Sequence, residues 1–375
     1  MRYAADCSGR EKLFHSLGVQ KATMSFIVPN FTKGQINRAG SVLIDPGATI
    51  EAKAAALAMI NHWRACHAYP INTFQATLRG RVKRVCGSGL VATRLKRLPS
   101  ISKKLEINRG MQLARMQDVG GLRAVVETVA QVRKLHEIYC DGSLAHELVD
   151  TDDYIATPKE SGYRSLHLIY KYKNPGAVAY EGLSLELQLR TKLQHAWATA
   201  VETIGSFLNQ ALKSSEGPAE WLDYFKIVSS AFALIEKCPV ADKHLNLTAQ
   251  EVYQMATVMG ERLDVKRKLN AFAVAANAIS SSNAGGNFHL IVLDAVERTV
   301  SVSSFGKKRL EEANAAYAEA EKKAAVNSDM QTVLVATSSV DALQRAFPNY
   351  FLDTKQFLLA LNRMEKLANI ATRAA

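Results

Sequence analysis

Two stretches near the middle of the chain alternate apolar and polar residues with a period of two. In GLSLELQLRT, Leu183, Leu185, Leu187 and Leu189 alternate with Ser184, Glu186, Gln188 and Arg190. In GYRSLHLIY, Leu166, Leu168 and Tyr170 face one way, and Tyr163, Ser165 and His167 the other. This period predicts two strands, each with a core face and a polar face. A turn at Ser161-Gly162 leads into the earlier one, and only the turn-rich KNPGAVAYEG separates them. They are expected to pair as a hairpin, which sets Tyr163, Ser165 and His167 beside Glu186, Gln188 and Arg190. A lone strand of this kind is as well explained by a solvated outer face. Two adjoining polar faces with an aromatic ring, an imidazole, a carboxylate, an amide and a guanidinium read as the floor of a site.

Around this hairpin the pattern predicts alternating helices and strands. The first forty-odd residues lack strong periodicity and read as an N-terminal extension (1–45). The alanine-rich run after Pro46-Gly47 predicts a helix closed off before Pro70, and a second helix is expected from Asn72 to about Val85. LVATRLKR alternates as a strand, a short helix is expected from Pro99 with Ser100 as its N-cap, and GLRAVVETV predicts a strand followed by a helix near Val129–Tyr139. Helices dominate from Lys192 to about Cys238, and Pro239 marks a boundary. Beyond it come a long helix ending in SSSNAGG, strands FHLIVLD and TVSVSSF around residues 295–298, and a helix over Lys308–Ala325. Strand TVLVATS, a helix from Val340 and a last helix near Thr354–Ala368 follow. The reading is a mixed α/β region over 46–240 and a small C-terminal α+β domain over 241–375.

Charge and composition narrow the class. The chain has 375 residues, 48% of them hydrophobic, and a formal net charge of +12, which favours a polyanionic partner. Its five cysteines (Cys7, Cys66, Cys86, Cys140, Cys238) are scattered and form no C-x-x-C pair, which fits a reducing compartment better than a disulfide framework or structural zinc site. Neither a secretory h-region nor a run of ~20 apolar residues occurs, so a soluble, cytoplasmic protein without membrane contact is expected.

Charge is also unevenly placed. From Arg79 to Lys104 the chain carries Arg79, Arg81, Lys83, Arg84, Arg94, Lys96, Arg97, Lys103 and Lys104 and no acidic residue. Such a run suits a solvated face, an RNA-contacting patch, or a polyphosphate clamp assisted by free N–H groups at the helix start near Ser100. In QDVGGLR, Asp118 precedes a Gly-Gly entry into a strand, with Arg123 beyond it. An Asp here is often only a turn former. Nucleotide-bound Mg²⁺, however, needs just one or two protein carboxylates, and Asp118 and Glu186 on neighbouring strands would supply them.

Four segments in this order, TRLKRLPSISKKL, MQDVGGLR, DYIATPKESGYRSLH and LELQLRTKLQHAW, closely resemble the synthetase domain of the RelA/SpoT alarmone-synthetase family. The resemblance covers roughly Trp63 to Lys237. It implies a nucleotidyltransferase-like mixed sheet flanked by helices, and transfer of the β,γ-diphosphate of ATP to a ribose 3′-hydroxyl, usually of GDP or GTP. Carried over by position, it implies that Arg94, Lys96, Ser100, Lys104 and Arg123 contact ATP, with Arg94 and Arg123 on opposite sides of the adenine. Asp118 would hold Mg²⁺, and Glu186 would sit at the Mg²⁺ and the attacking hydroxyl. Tyr163 would stack on the acceptor base, Lys159 and His167 would lie near its 5′-phosphates, and Gln188 would support the acceptor. Arg190 stays open between a structural ion pair and a role in the site. Ser161 stands where the family more often has Asn.

The acceptor is less constrained than the reaction. A guanine nucleotide is the first expectation. The alternatives are pyrophosphorylation of the tRNA 3′ end by a toxin, with Arg79, Arg81, Lys83 and Arg84 left for a phosphate backbone, and synthesis of the adenosine alarmone. A non-catalytic nucleotide-sensing module would lack a carboxylate or a clamp residue, and Asp118 and Glu186 are both in place. The C-terminal region resembles nothing with an assigned mechanism; binding of a regulator and self-association are its candidate roles.

Overall fold

The computed structural model describes residues 26–207, 217–270, 288–294, 299–306, 308–326, 330–336 and 350–372. The first helix, α1 (Lys33–Ile44), lies inside the expected N-terminal extension. It buries Ile36, Ala39 and Gly40 along one face, and its start is fixed by a reciprocal cap. The Gln35 amide donates to Thr32 Oγ1 at 3.2 Å, and the Gln35 side chain accepts from the Thr32 N–H at 2.8 Å. Helices α2 (Ile50–Cys66) and α3 (Ala68–Val85) meet at His67. The second therefore starts four residues before the expected Asn72. Pro70 falls in its first turn, where no intrahelical N–H is needed.

Strand β1 (Leu90–Leu95), helix α4 (Leu98–Ile107), strand β2 (Gly120–Val126) and helix α5 (Val129–Cys140) follow. Strands β3 (Glu147–Asp153), β4 (Leu166–Lys171) and β5 (Ser184–Thr191) complete a five-stranded sheet of order β1-β2-β5-β4-β3. Strands β2 and β5 run parallel, and every other pair is antiparallel. The hairpin expected from alternation is present, with His167 opposite Gln188. The pattern gave no sign of β3, because ELVDTDD has few strand-forming residues. It lies at the sheet edge, where its acidic side chains reach solvent or a cation, as Asp153 does in its forked pair with Arg133.

Alternation divides the sheet into two faces. Leu122, Leu168 and Leu187 pack with Phe74, Leu78 and Val82 of α3 and Val132, Leu135 and Tyr139 of α5 in the first core. The opposite face carries Arg94, Arg123, Glu186, Gln188 and His167.

A second core is built from α6 (Lys192–Phe207), α7 (Ala219–Ile235), α8 (Ala249–Arg262) and the last helix, α10 (Tyr350–Thr372). Trp197, Trp221, Phe225 and Phe232 meet Val252, Phe357, Leu361 and Met364 there, so helices from both sides of Pro239 share one apolar interior. The long helix expected after Pro239 breaks at Asp264, whose φ is +53°. Strands β6 (Phe288–Asp294), β7 (Thr299–Phe305) and β8 (Met330–Ala336) form an antiparallel sheet of order β7-β6-β8 with helix α9 (Leu310–Val326). The SSSNAGG segment, the turn at 295–298, the helix expected from Val340 and Phe347 lie outside the described residues.

Phe357 is fully buried, with its ring 5.5 Å from that of Phe232 and 6.4 Å from that of Phe225. Phe357→Ala is expected to cost about 3–5 kcal/mol, read as a lowered urea midpoint. An unchanged midpoint would show that α10 does not contribute to the core shared with α6 and α7.

Candidate active site

The register places polar side chains from all five strands on one face. Arg94 lies level with Gly121 and Glu186, while Arg123, Gln188, His167 and Asp152 share the next row. This face is not a wet exterior: Glu186 is 8% exposed, His167 7%, Gln188 6% and Arg190 1%. A buried carboxylate must be compensated or lose its charge.

Compensation comes from a closed circuit of hydrogen bonds. His167 Nδ1 lies 2.9 Å from Glu186 Oε1, and Gln188 Nε2 donates to Glu186 Oε2 at 2.7 Å. Tyr163 Oη lies 2.9 Å from His167 Nε2. Arg190 Nη2 donates to Tyr163 Oη and, at 2.7 Å, to Gln188 Oε1. Burial holds His167 below its ordinary pKa despite the carboxylate beside it, so the ring is neutral at pH about 7. Its Nδ1–H then donates to Glu186, and Nε2 accepts the Tyr163 hydroxyl proton. Burial alone would raise the Glu186 pKa. The His167 hydrogen bond, the Arg94 charge and the Gln188 amide outweigh it and hold the carboxyl well below the usual range.

Asp118 sits just before β2 and accepts from Lys96 Nζ at 2.7 Å and Lys104 Nζ at 3.0 Å. Burial and the Glu186 charge push its pKa up, and the two ammonium groups more than reverse this. The Glu186 charge is among the influences on Asp118, which lies two residues before Gly120, the partner of Leu185 on β5. Lys96 is steadied from behind, since Arg64 Nε donates to its carbonyl at 2.8 Å. Arg123 is nearly buried and donates to Gln188 Oε1 at 3.4 Å; burial first, then the charges of Arg190 and Arg94, lower its pKa to about 9.

Ser100 does not cap a helix. Helix α4 starts at Leu98 with Arg97 in the cap position and Pro99 in its first turn, and the Ser100 N–H is taken by the Arg97 carbonyl at 3.0 Å. Proline presets φ for the turn, so the helix begins before the serine and no free amide is left at that residue.

The loop before β4 turns where expected. Gly162 has φ +85° and donates to the Lys159 carbonyl at 2.7 Å. A Cβ at this position would stand 3.0 Å from Ser229 Cβ and 3.2 Å from Lys226 Cα of α7, so only glycine fits both the φ and the contact. Arg164 Nε donates to Ser229 Oγ at 3.0 Å, and that hydroxyl donates to the Gly162 carbonyl. Lys159 is exposed, and its Nζ lies 4.2 Å from the centroid of the Tyr154 ring. Tyr154 was not among the expected site residues. Its ring meets His167 edge-on at 5.2 Å and Tyr163 at 6.1 Å. Its place beside the polar strand, in the same loop as Lys159, was the available signal. Tyr163 is 6% exposed, its ring enclosed by Tyr154, His167 and Arg190.

Among the described residues no group of three or more His, Cys, Asp or Glu side chains is arranged to hold a metal by itself. Two ionised carboxylates that repel one another beside a cationic rim do fit Mg²⁺ arriving on a phosphate chain, because that ion takes hard oxygen ligands and needs few from protein. Asp118 and Glu186 are the residues that would hold it.

Residues 93–205 match the family model described as the region found in RelA / SpoT proteins. The chain is 35% identical over 88 residues to GTP pyrophosphokinase YjbM of Bacillus subtilis (strain 168), which covers 24% of this chain and 41% of that protein. To GTP pyrophosphokinase YwaC of the same strain it is 32% identical over 128 residues, covering 31% and 58%. The chain thus spans about half the length of these relatives. The crystal structure of small alarmone synthetase 1 from Bacillus subtilis bound to its product pppGpp is 24% identical, covering 47% of this chain and 93% of that one with a TM-score of 0.41. The matched residues run from within β1 into α6 and so include most of the sheet described above. No helix among the described residues is long and apolar enough to cross a membrane.

Since the folded Glu186 carboxyl titrates below its unfolded value of about 4.3, its stabilising contribution is complete at neutral pH. It drains away as pH falls below that value. Glu186→Gln is expected to be less stable than wild type near neutrality, and the gap should narrow between pH about 5 and about 3. Urea midpoints across that window check this; a gap that widens toward acid would contradict an ionised buried Glu186.

Proposed function

We propose that this chain is a Mg²⁺-dependent pyrophosphokinase that transfers the β,γ-diphosphate of ATP to the 3′-hydroxyl of GDP or GTP. The observation that carries the reading is a pair of carboxylates held ionised, Asp118 between Lys96 and Lys104, and Glu186 on the strand face that bears Arg94 and Arg123. The four cations offer charge to a triphosphate, and Arg94 and Arg123 offer flat guanidinium planes to its base. The acceptor side offers Tyr154, Tyr163 and His167 with Lys159 at the rim.

In the transfer, the acceptor 3′-oxygen bonds to the β-phosphorus while the α,β-bridge breaks and AMP leaves. Glu186 takes the hydroxyl proton, and burial behind His167 and Gln188 fixes the direction of its oxygens. Lys96 and Lys104, paired with Asp118 at rest, can turn to the phosphates once an ion competes for that carboxylate. Mg²⁺ on Asp118 and Glu186 would neutralise charge on the donor phosphates.

The fold supports a small acceptor over tRNA. The cations reserved for RNA are on α3, which packs on the sheet face opposite Glu186. Arg81 is already engaged: its guanidinium donates to Ser143 Oγ at 3.0 Å and lies 4.4 Å over the Tyr139 ring.

Incubation with γ-labelled ATP and, in turn, GDP, GTP, ATP alone or bulk tRNA tests the reading. Label is expected on GDP or GTP, and Glu186→Gln should slow the transfer by about 10²–10⁴. Label on none of these, or equal rates for the variant, would overturn the enzyme reading; label on tRNA would overturn the acceptor.

A further inference from the structure

We infer that Arg190 is a positioning residue for the proposed transfer: its guanidinium fork fixes Tyr163 on the acceptor side and Gln188 beside Glu186 as one unit. The inference rests on the functional reading above and goes beyond it, since Arg190 had a structural ion pair as its alternative. Among the described residues, no ion pair to a carboxylate is formed by Arg190. Its donors go to polar neutral groups instead: Nη2 to Tyr163 Oη and Gln188 Oε1, and Nε to Ser165 Oγ at 3.3 Å.

This choice of partners has a consequence for both halves of the site. The Tyr163 oxygen accepts from Arg190, so its one proton is directed to His167 Nε2, which leaves the His167 Nδ1 proton for Glu186. On the other arm, Arg190 occupies the Gln188 carbonyl oxygen, which orients the amide nitrogen toward Glu186. Both arms leave one guanidinium and end on the two oxygens of one carboxylate. Arg190 is thus upstream of the orientation of Glu186, Tyr163 and Gln188 without being a group that touches the reacting atoms. Both bonds leave one nitrogen, Nη2, whose two hydrogens lie in a plane that the Nε bond to Ser165 fixes; a lysine ammonium on a flexible stem lacks that third anchor. Of the ATP-side cations, Lys96 and Lys104 are oriented by Asp118 outside this circuit, while Arg123 reaches it only through a longer bond to the same Gln188 oxygen, at 3.4 Å.

Steady-state kinetics on the full chain with ATP and GDP test it, using Arg190→Lys and Arg190→Met with thermal melting as the fold control. A folded Arg190→Lys is expected to lose tenfold or more in kcat, with the KM for GDP raised clearly more than the KM for ATP. Tyr163→Phe keeps the ring and cuts one arm. Adding it to Arg190→Lys should cost clearly less than it costs alone, since the arm is already broken. Should Arg190→Met fail to melt cooperatively, Arg190→Lys and the Tyr163→Phe cycle carry the test. Unchanged constants in Arg190→Lys, equal losses for ATP and GDP, or additive effects in the cycle would overturn the inference while the wild type remains active. A wild type that transfers to no acceptor overturns the functional reading, and this inference with it.

Discussion

A carboxylate kept ionised in a nearly dry place is the constraint on which the arrangement depends. Glu186 is tolerated at its depth because both its oxygens accept hydrogen bonds from side chains that are themselves held. The alternation of β5 puts Glu186, Gln188 and Arg190 on one side of the sheet, and the antiparallel register with β4 brings His167 across from Gln188. Parallel pairing with β2 adds Arg123 to the same row and sets the approach to Asp118. The backbone ladder therefore decides which charges meet, and the side-chain circuit decides which protons they share.

The same constraint explains why the site has two differently built halves. On the phosphate side, Asp118 is bound by lysines that a competing anion and cation can draw away, an exchangeable pairing at a partly open rim. On the acceptor side the partners are buried and neutral or forked, and the loop that brings them is pinned to α7 through Gly162, Arg164 and Ser229. One half is made to rearrange, the other to stay.

Much of this was legible in the chain. The leucine alternation from Leu183 to Leu189 foretold β5, its hairpin with β4 and the residues that line the polar face. The GLRAVVETV segment foretold β2 and the helix after it. Other features left weaker local marks. The acidic β3 runs against strand propensity and forms because an edge position lets Asp and Glu stay solvated. Helix α1 was marked by Thr32 and Gln35 three residues apart and by the helical spacing of Ile36, Ala39 and Gly40. Period-two patterning cannot say whether a polar face meets water or a neighbouring helix, so the burial of Glu186 and Arg190 was not visible. Nor could a local pattern show that Phe357 reaches Phe225 and Phe232, because that contact joins segments more than a hundred residues apart.

That separation sets an order of assembly. The fully buried residues of the first core all lie between 36 and 189, with partly buried Phe26, Phe31 and Cys238 packed against them. The second needs α10, which returns to α6 across the span from Phe207 to Tyr350, a long loop whose closure entropy must be met before the contact rewards it. A chain emerging from the ribosome thus holds its sheet while the platform under the Lys159–Tyr163 loop still lacks its last helix. Synthesis of the C-terminal segment then acts as a timer on the maturation of the region upstream.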